Sequence, residues 1–258
     1  MNGDVWDESQ LLDHMQDDSF YYGYCSKTMF SSSKVKTMAK SPKSYYYIDK
    51  YKTNEQPLRD GWLFHAAILE PHVFDAQVFC DTLTKGVKFK ELEAYHGKGN
   101  VYTKKEKQDA ERLARAFTVN QVAMSRLRNS KFEVPNFGVI DGIPFRGKAD
   151  IVTDTGKIID LKTCQNIANF RKDAYALGYD IQTYIYSKLW DIKYDKFEFI
   201  AIDKKSLDIG IYQCSKDFYE SGKRKVENVL TAYKSNIQGK DNDEIAEFIN
   251  NYIFEDVL

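Results

Sequence analysis

The chain has 258 residues, 43% hydrophobic and 29% charged, with a formal net charge of -1, a globular balance that excludes disorder and gives no global attraction to nucleic acid. The four cysteines, Cys25, Cys80, Cys164 and Cys214, are scattered with no CxxC pair, which argues against an iron–sulfur cluster and fits free thiols in a reducing, cytoplasmic setting. No apolar run approaches the roughly 20 residues of a membrane span, so no membrane partner is expected.

Residues 1–20 are acidic, with Asp4, Asp7, Glu8, Asp13, Asp17 and Asp18. They read as a loose arm or a short peripheral helix, and residues 1–27 are set apart as an N-terminal arm before a single domain over 28–258. Ser31, Ser32 and Ser33 are candidate N-caps for a short helix that must end near Ser41-Pro42, because a residue before proline resists the helical region. Residues 58–69 predict the next helix. Leu58, Trp62, His65 and Leu69 recur at helical spacing, which puts His65 on the inward stripe. A polar stretch with Gly86, Gly97 and Gly99 follows, then a helix of good formers over 104–127. Its Lys104, Lys105, Lys107, Arg112, Arg115 and Arg126, with Arg128 beyond, fit a solvated face or a nucleic-acid contact equally well.

The next strand, 139–152, is interrupted by the turn Asp141-Gly142. After a second turn at 153–156 comes another strand over 157–163. A long helix over 167–190, strands over 197–202 and 208–213, and helices over 216–235 and 243–254 complete one α/β domain. No internal repeat or low-complexity linker interrupts it.

The informative stretch is GKADIVTDTGKIIDLKT, residues 147–163. Asp160 and Lys162 are two apart on a strand and so share a face, while Ile158, Ile159 and Leu161 suit a buried sheet. Charge placed where burial is costly is tolerated when it pairs or binds a cation. Asp150, across a short turn, can be brought close to Asp160. Two adjacent carboxylates raise each other's pKa unless a cation lies between them. Mg²⁺, a hard ion that takes carboxylate, water and phosphate oxygens, suits the place, with Mn²⁺ as a substitute. Lys162 can then orient or deprotonate a water, or neutralise charge developing on phosphate. By spacing alone, a solvent-facing DxK hairpin remains an equal alternative.

Gly147-Lys148-Ala149-Asp150, Asp160-Leu161-Lys162-Thr163, and then Gln182 and Tyr186 together resemble the PD-(D/E)XK nuclease superfamily. Tyr179 shares a helix face with Gln182 and Tyr186 at i, i+3, i+7 and reads as packing. Upstream, Gly61-x-x-x-His65 followed by Ile68-Leu69-Glu70-Pro71 and Phe74 resembles the RecE-like exonuclease branch, as does Phe30-Ser31-Ser32-Ser33 with Ser41-Pro42 and Tyr45. The resemblance spans about residues 28–190. It implies a restriction-endonuclease-like core, a central mixed β-sheet flanked by helices. It also implies His65, Asp150 and Asp160 as metal ligands and Lys162 as catalytic, with Gln182 and Tyr186 as site residues. Glu70 and Glu133 are further acids that could join. Lys148 stands where RecE-like chains often carry an arginine. His14, His72 and His96 carry no motif and read as surface residues.

The implied activity is Mg²⁺-dependent hydrolysis of linear double-stranded DNA from its ends, 5′ to 3′, in phage-type recombination. An endonuclease on the same fold is the alternative, and a DNA-binding protein with a vestigial site is a third reading. The branch works as ring-shaped homo-oligomers that hand single strands to an annealing protein, and a ring that encloses DNA would explain a near-neutral chain.

Overall fold

Turn and cap chemistry divides the chain into short elements, seen in a computed structural model that describes residues 6–47, 55–83, 85–97 and 99–253. Asp4 of the acidic arm, and residue 254 of the last expected helix, lie outside the described residues. The first half carries α1 (Glu8–His14), α2 (Asp18–Tyr22), α3 (Tyr24–Thr28), α4 (Ser32–Lys40), α5 (Pro42–Tyr46), α6 (Gln56–Leu69) and α7 (Pro71–Asp75). Then come β1 (Val78–Cys80), α8 (Val87–His96), β2 (Val101–Thr103), α9 (Lys104–Val119) and α10 (Gln121–Arg126). The second half runs β3 (Ser130–Ile140), β4 (Ile143–Thr153), β5 (Ile158–Cys164), α11 (Phe170–Ala176), α12 (Tyr179–Leu189), β6 (Phe197–Asp203), β7 (Ile209–Gln213), α13 (Lys216–Asn236) and α14 (Asn242–Asn251).

The main sheet has the order β3-β4-β5-β6-β7. Asp141 and Gly142 both take positive φ, 51° and 75°, as a two-residue hairpin of primed type requires, and β3 pairs antiparallel with β4 outward from that turn. β5 and β6 pair in parallel, joined by the α11–α12 crossover, and β7 closes the edge antiparallel. This is the mixed sheet flanked by helices that the sequence implied. β4 and β5 pair only at Ile151↔Ile159 and Val152↔Ile158, after which their backbones part. One face of the sheet is covered by α4, α11, α12 and α13 through Val35, Phe170, Ile185 and Val226; the other by α6, α9 and α10 through Phe64, Phe117 and Ala123. Ala149 packs with the first layer and Ile151 with the second, so β4 changes the side it presents at Asp150. Among the described residues no helix is long and apolar enough to cross a membrane.

Several expectations need correction. The inward stripe of α6 is not Leu58-Trp62-His65-Leu69: Leu58 is 72% exposed and Trp62 39%, while Leu63, Phe64, Ala66 and Leu69 are buried. The helix is held between two apolar clusters, Phe64 and Leu69 against the sheet and Leu63 and Ala66 against Phe74, Tyr102 and Ala110. A wide buried face therefore replaces one stripe. The helix over 104–127 breaks at Asn120, whose extended backbone lets its side chain accept from the N–H groups of Val122 and Ala123 and start α10. The helix over 167–190 breaks at Gly178, left-handed with φ 68°, a conformation that only glycine adopts freely. β3 begins at Ser130 rather than near 139, and the polar glycine stretch contains α8 between the short parallel strands β1 and β2.

Candidate active site

The parting of β4 from β5 creates the site. Beyond Ile151↔Ile159 the Leu161 N–H finds no ladder partner on β4, and the Asp150 side chain takes it, with Oδ2 accepting at 2.8 Å. The carbonyl of the same residue accepts from His65 Nε2 at 2.8 Å. A carbonyl only accepts, so Nε2 carries a proton, which leaves Nδ1 as the nitrogen able to offer a lone pair. Nδ1 lies 3.5 Å from Asp150 Oδ2. A backbone carbonyl that fixes the tautomer is the usual support of a metal-ligating histidine.

Glu133 completes this group. Counted outward from the turn it stands opposite Asp150, between the pairs Phe132↔Ile151 and Val134↔Ala149, and its φ is 49°. A left-handed glutamate inside a strand is strained by roughly 1 kcal/mol or more, and it bends the ladder where β4 changes face. One ligand atom each from His65, Glu133 and Asp150 lies within 4.8 Å of the others. Burial, with Asp150 beside it, pushes the Glu133 carboxyl up to about 8. Burial, with Asp160 next to it, pushes Asp150 up to about 6. Glu70, at the junction of α6 and α7, adds its negative charge to the field on Glu133.

Asp160 sits next to this group and is held from the other layer. It is 1% exposed. Gln182 Nε2 of α12 donates to its Oδ1 at 2.5 Å; Lys162 Nζ forms an ion pair with Oδ2, yet Oδ2 has no hydrogen bond of good geometry. Burial opposes the charge on Lys162, but the carboxylates of Asp160 and Asp150 outweigh it and hold its pKa above the usual lysine value. The ammonium lies 5.0 Å from the centre of the Tyr179 ring, which stacks on Phe199 of β6. Lys36 of α4 approaches from the side: its Nζ is 3.5 Å from Gln182 Oε1 and 5.1 Å from the Tyr179 centroid. Burial and the charge of Lys162 push the Lys36 amine down to about 7.

Tyr186, one turn beyond Gln182, reaches β4. Its hydroxyl donates to the Lys148 carbonyl at 2.8 Å and accepts from the Lys148 N–H at 3.3 Å, which pins the backbone two residues before Asp150. That approach needs Gly147, because a Cβ there would stand 2.9 Å from Tyr186 Cε1 and 3.1 Å from Leu189 Cδ1. Burial raises the Tyr186 hydroxyl well above the usual phenol range, so it stays a neutral donor.

The sequence-derived residues His65, Asp150, Asp160, Lys162, Gln182 and Tyr186 thus converge. The tightest ligand group, however, contains Glu133 rather than Asp160, whose carboxylate is shared between Gln182 and Lys162. Lys36 had no signal in spacing or motif. Glu106 is a buried acid with a structural role, accepting from Thr103 and pairing with Arg59, and three more are tied up in the same way. Asp180 binds Ser221 and Lys225, Glu198 binds Lys157 and Arg126, and Asp203 accepts three backbone N–H groups at the end of β6. On α9, Lys105, Lys107 and Arg112 pair with Asp109 and Glu111, as on a solvated face.

The donor set suits a hard divalent cation. It offers carboxylate oxygens and one imidazole nitrogen and two carboxyls whose protons a cation would displace.

A family described as a PDDEXK-like domain of unknown function (DUF3799) matches residues 30–252. No curated protein matches the chain. Among solved structures, the "Putative exonuclease" from Eubacterium rectale is similar with a TM-score of 0.63 and 17% identity, over 94% of this chain and 95% of its own. A "phage related exonuclease" from Haemophilus somnus 129PT overlaps 62% of this chain and 90% of its own, at a TM-score of 0.33 and 17% identity. The first likeness speaks to fold; the second is too loose to carry an argument.

Proposed function

Because this chain belongs to the PDDEXK-like family of domains, we propose that it is a divalent-metal-dependent deoxyribonuclease, with Mg²⁺ as its ion and Mn²⁺ as a substitute. Its substrate is linear double-stranded DNA, digested from the ends in the 5′ to 3′ direction. The observation that carries the reading is the convergence of His65, Glu133 and Asp150 within 4.8 Å beside the Asp160–Lys162 pair. Action at ends is supported by the name of the Eubacterium rectale protein and by the RecE-like residues around His65. Polarity, a ring-shaped oligomer and an annealing-protein partner follow from that same resemblance.

His65, Glu133, Asp150 and Asp160 would hold the cation, which when bound supplies an acidified water and neutralises phosphate charge. Lys162 stays an ammonium between two carboxylates, so it serves as a fixed cation that orients the scissile phosphate and stabilises charge developing on it. Gln182 positions Asp160 by its hydrogen bond, and Tyr186 positions Asp150 through the backbone of β4. Lys36, its amine pushed down to about 7 by burial and by Lys162, stands beside Gln182 on the α12 side as a cation only at the lower end of the neutral range.

The test is digestion of end-labelled linear duplex and of closed circular DNA, with Mg²⁺ and with EDTA. The wild type digests the linear form alone, and EDTA stops it. Asp160→Asn and Lys162→Ala lower the rate by at least about 100-fold with an unchanged circular-dichroism spectrum. Nicking of the closed circle would replace the exonuclease with an endonuclease, and full activity in Lys162→Ala would remove the site assignment.

A further inference from the structure

The acidic arm lies across the strand that leads to the site. Arg146 and Lys148 share one face of β4, four and two residues before Asp150, and α2 covers both. Asp18 pairs with Lys148 Nζ. The Tyr21 ring covers the Arg146 guanidinium, 4.1 Å from centroid to Cζ, and lies 4.9 Å from Lys148 Nζ. Tyr22 stands 5.7 and 5.5 Å from the same two cations and is 59% exposed. Arg146 is 6% exposed, its Nε has no hydrogen-bond partner, and among the described residues no carboxylate pairs with it. A guanidinium buried without an anion costs stability, and none of the described carboxylates offsets that cost. The charges of Asp18, Glu133 and Asp150 all act on the Tyr22 hydroxyl, which puts the arm beside the candidate metal ligands.

Two further observations separate the arm from the domain it covers. The family match begins at residue 30, just past the end of α3 at Thr28. The arm also has its own small apolar cluster, Leu11, Met15, Tyr21 and Cys25, against which Phe137 of β3 packs. A small unit with its own core can leave as a unit. The sequence carries no lysine or arginine before Lys27.

We propose that the arm is a built-in competitor of the nucleic-acid strand: Asp18 takes the place of a backbone phosphate on Lys148, and Tyr21 and Tyr22, over Arg146 and Lys148, take the places of stacked bases. This rests on the nuclease reading above. The chemistry is interchangeable at each point. An ammonium or guanidinium accepts a carboxylate or a phosphate, and a guanidinium stacks equally on a tyrosine ring or a nucleobase. A strand that carries a phosphate every few ångströms offers more charge than one aspartate, so it displaces the arm, and the uncovered Arg146 gains a phosphate.

The test uses the full chain carrying Asp160→Asn, so that DNA is bound and not cut. It measures amide hydrogen exchange of residues 6–29 and binding of a labelled duplex by fluorescence anisotropy in Mg²⁺. Bound DNA is expected to speed exchange across the arm. Adding Asp18→Asn tightens binding by roughly threefold to fivefold, the worth of one partly exposed ion pair. Asp13→Asn, the same charge change at an exposed acid of α1, shifts binding less than about twofold. Unchanged or stronger protection of the arm with DNA bound, or equal effects of Asp18→Asn and Asp13→Asn, would overturn the proposal. If the wild type cuts no DNA with any metal yet DNA still releases the arm, the nuclease reading falls and this one stands. If no variant binds DNA, both fall.

Discussion

Glu133 and Asp150 show how single residues are brought to chemistry by backbone geometry. Each would be an ordinary carboxylate in water; burial first, then the charge of Asp150 on Glu133 and of Asp160 on Asp150, leaves both holding protons at higher pH than usual. A cation must displace those protons. Binding of Mn²⁺ is therefore expected to release protons and to weaken as pH falls from about 8 to about 6, seen as buffer-dependent heats in calorimetric titration. Glu133→Gln and His65→Ala should each weaken that binding by at least about tenfold. Equal affinity in Glu133→Gln would leave Asp160 as the second acid of the site.

At the scale of elements, α12 is the support of the site. It carries Gln182 to Asp160 and Tyr186 to the backbone of β4, and it approaches β4 at Gly147. Gly147→Ala would force its Cβ to within 2.9 Å of Tyr186. The expected loss is about 1–3 kcal/mol, a fall in Tm of roughly 3–10 °C, with nuclease activity reduced below 30 °C, where the fold persists. Unchanged Tm and activity would mean that α12 can move away at no cost, and that its closeness to β4 does not hold the site. The β3–β4 hairpin contributes the other half: its two-residue turn sets a register that runs uninterrupted to Val134 and Ala149 and resumes at Phe132 and Ile151, leaving Glu133 and Asp150 opposite each other at the gap.

In the whole molecule the site is a store of instability without metal. The Glu133 carboxyl has an ordinary value of 4.5 and a folded value of about 8; for Asp150 the values are 3.8 and about 6. The folded state binds these protons more tightly than the unfolded chain does, so stability is greatest below pH 4 as far as these groups go and falls as pH rises towards 8. Metal-free protein is thus expected to lose Tm between pH 5 and 8. Mn²⁺ should restore it most at pH 8, by several degrees. A rise in metal-free Tm across that window, or the same Tm rise in Glu133→Gln, would contradict this account.

Local rules in the sequence were enough for much of this. Alternation and turn residues gave the strands around Asp160, caps gave α4, and the spaced residues from His65 to Tyr186 marked the family. Glu133 was within reach too: counting outward from Asp141-Gly142 pairs residue 133 with 150. A strand starting near 139 stops short of it, and the structure carries β3 back to Ser130 through Pro135 and Gly138, both residues that weaken a strand signal. What needed three dimensions were contacts between residues far apart in the chain. Examples are the parting of β4 from β5, Lys36 beside Gln182, the two-sided burial of α6, and the arm lying on Arg146 and Lys148. Local propensity acts over one turn or one pair of strands. These contacts depend on which layers share the buried surface, a free energy that no stretch of sequence carries alone.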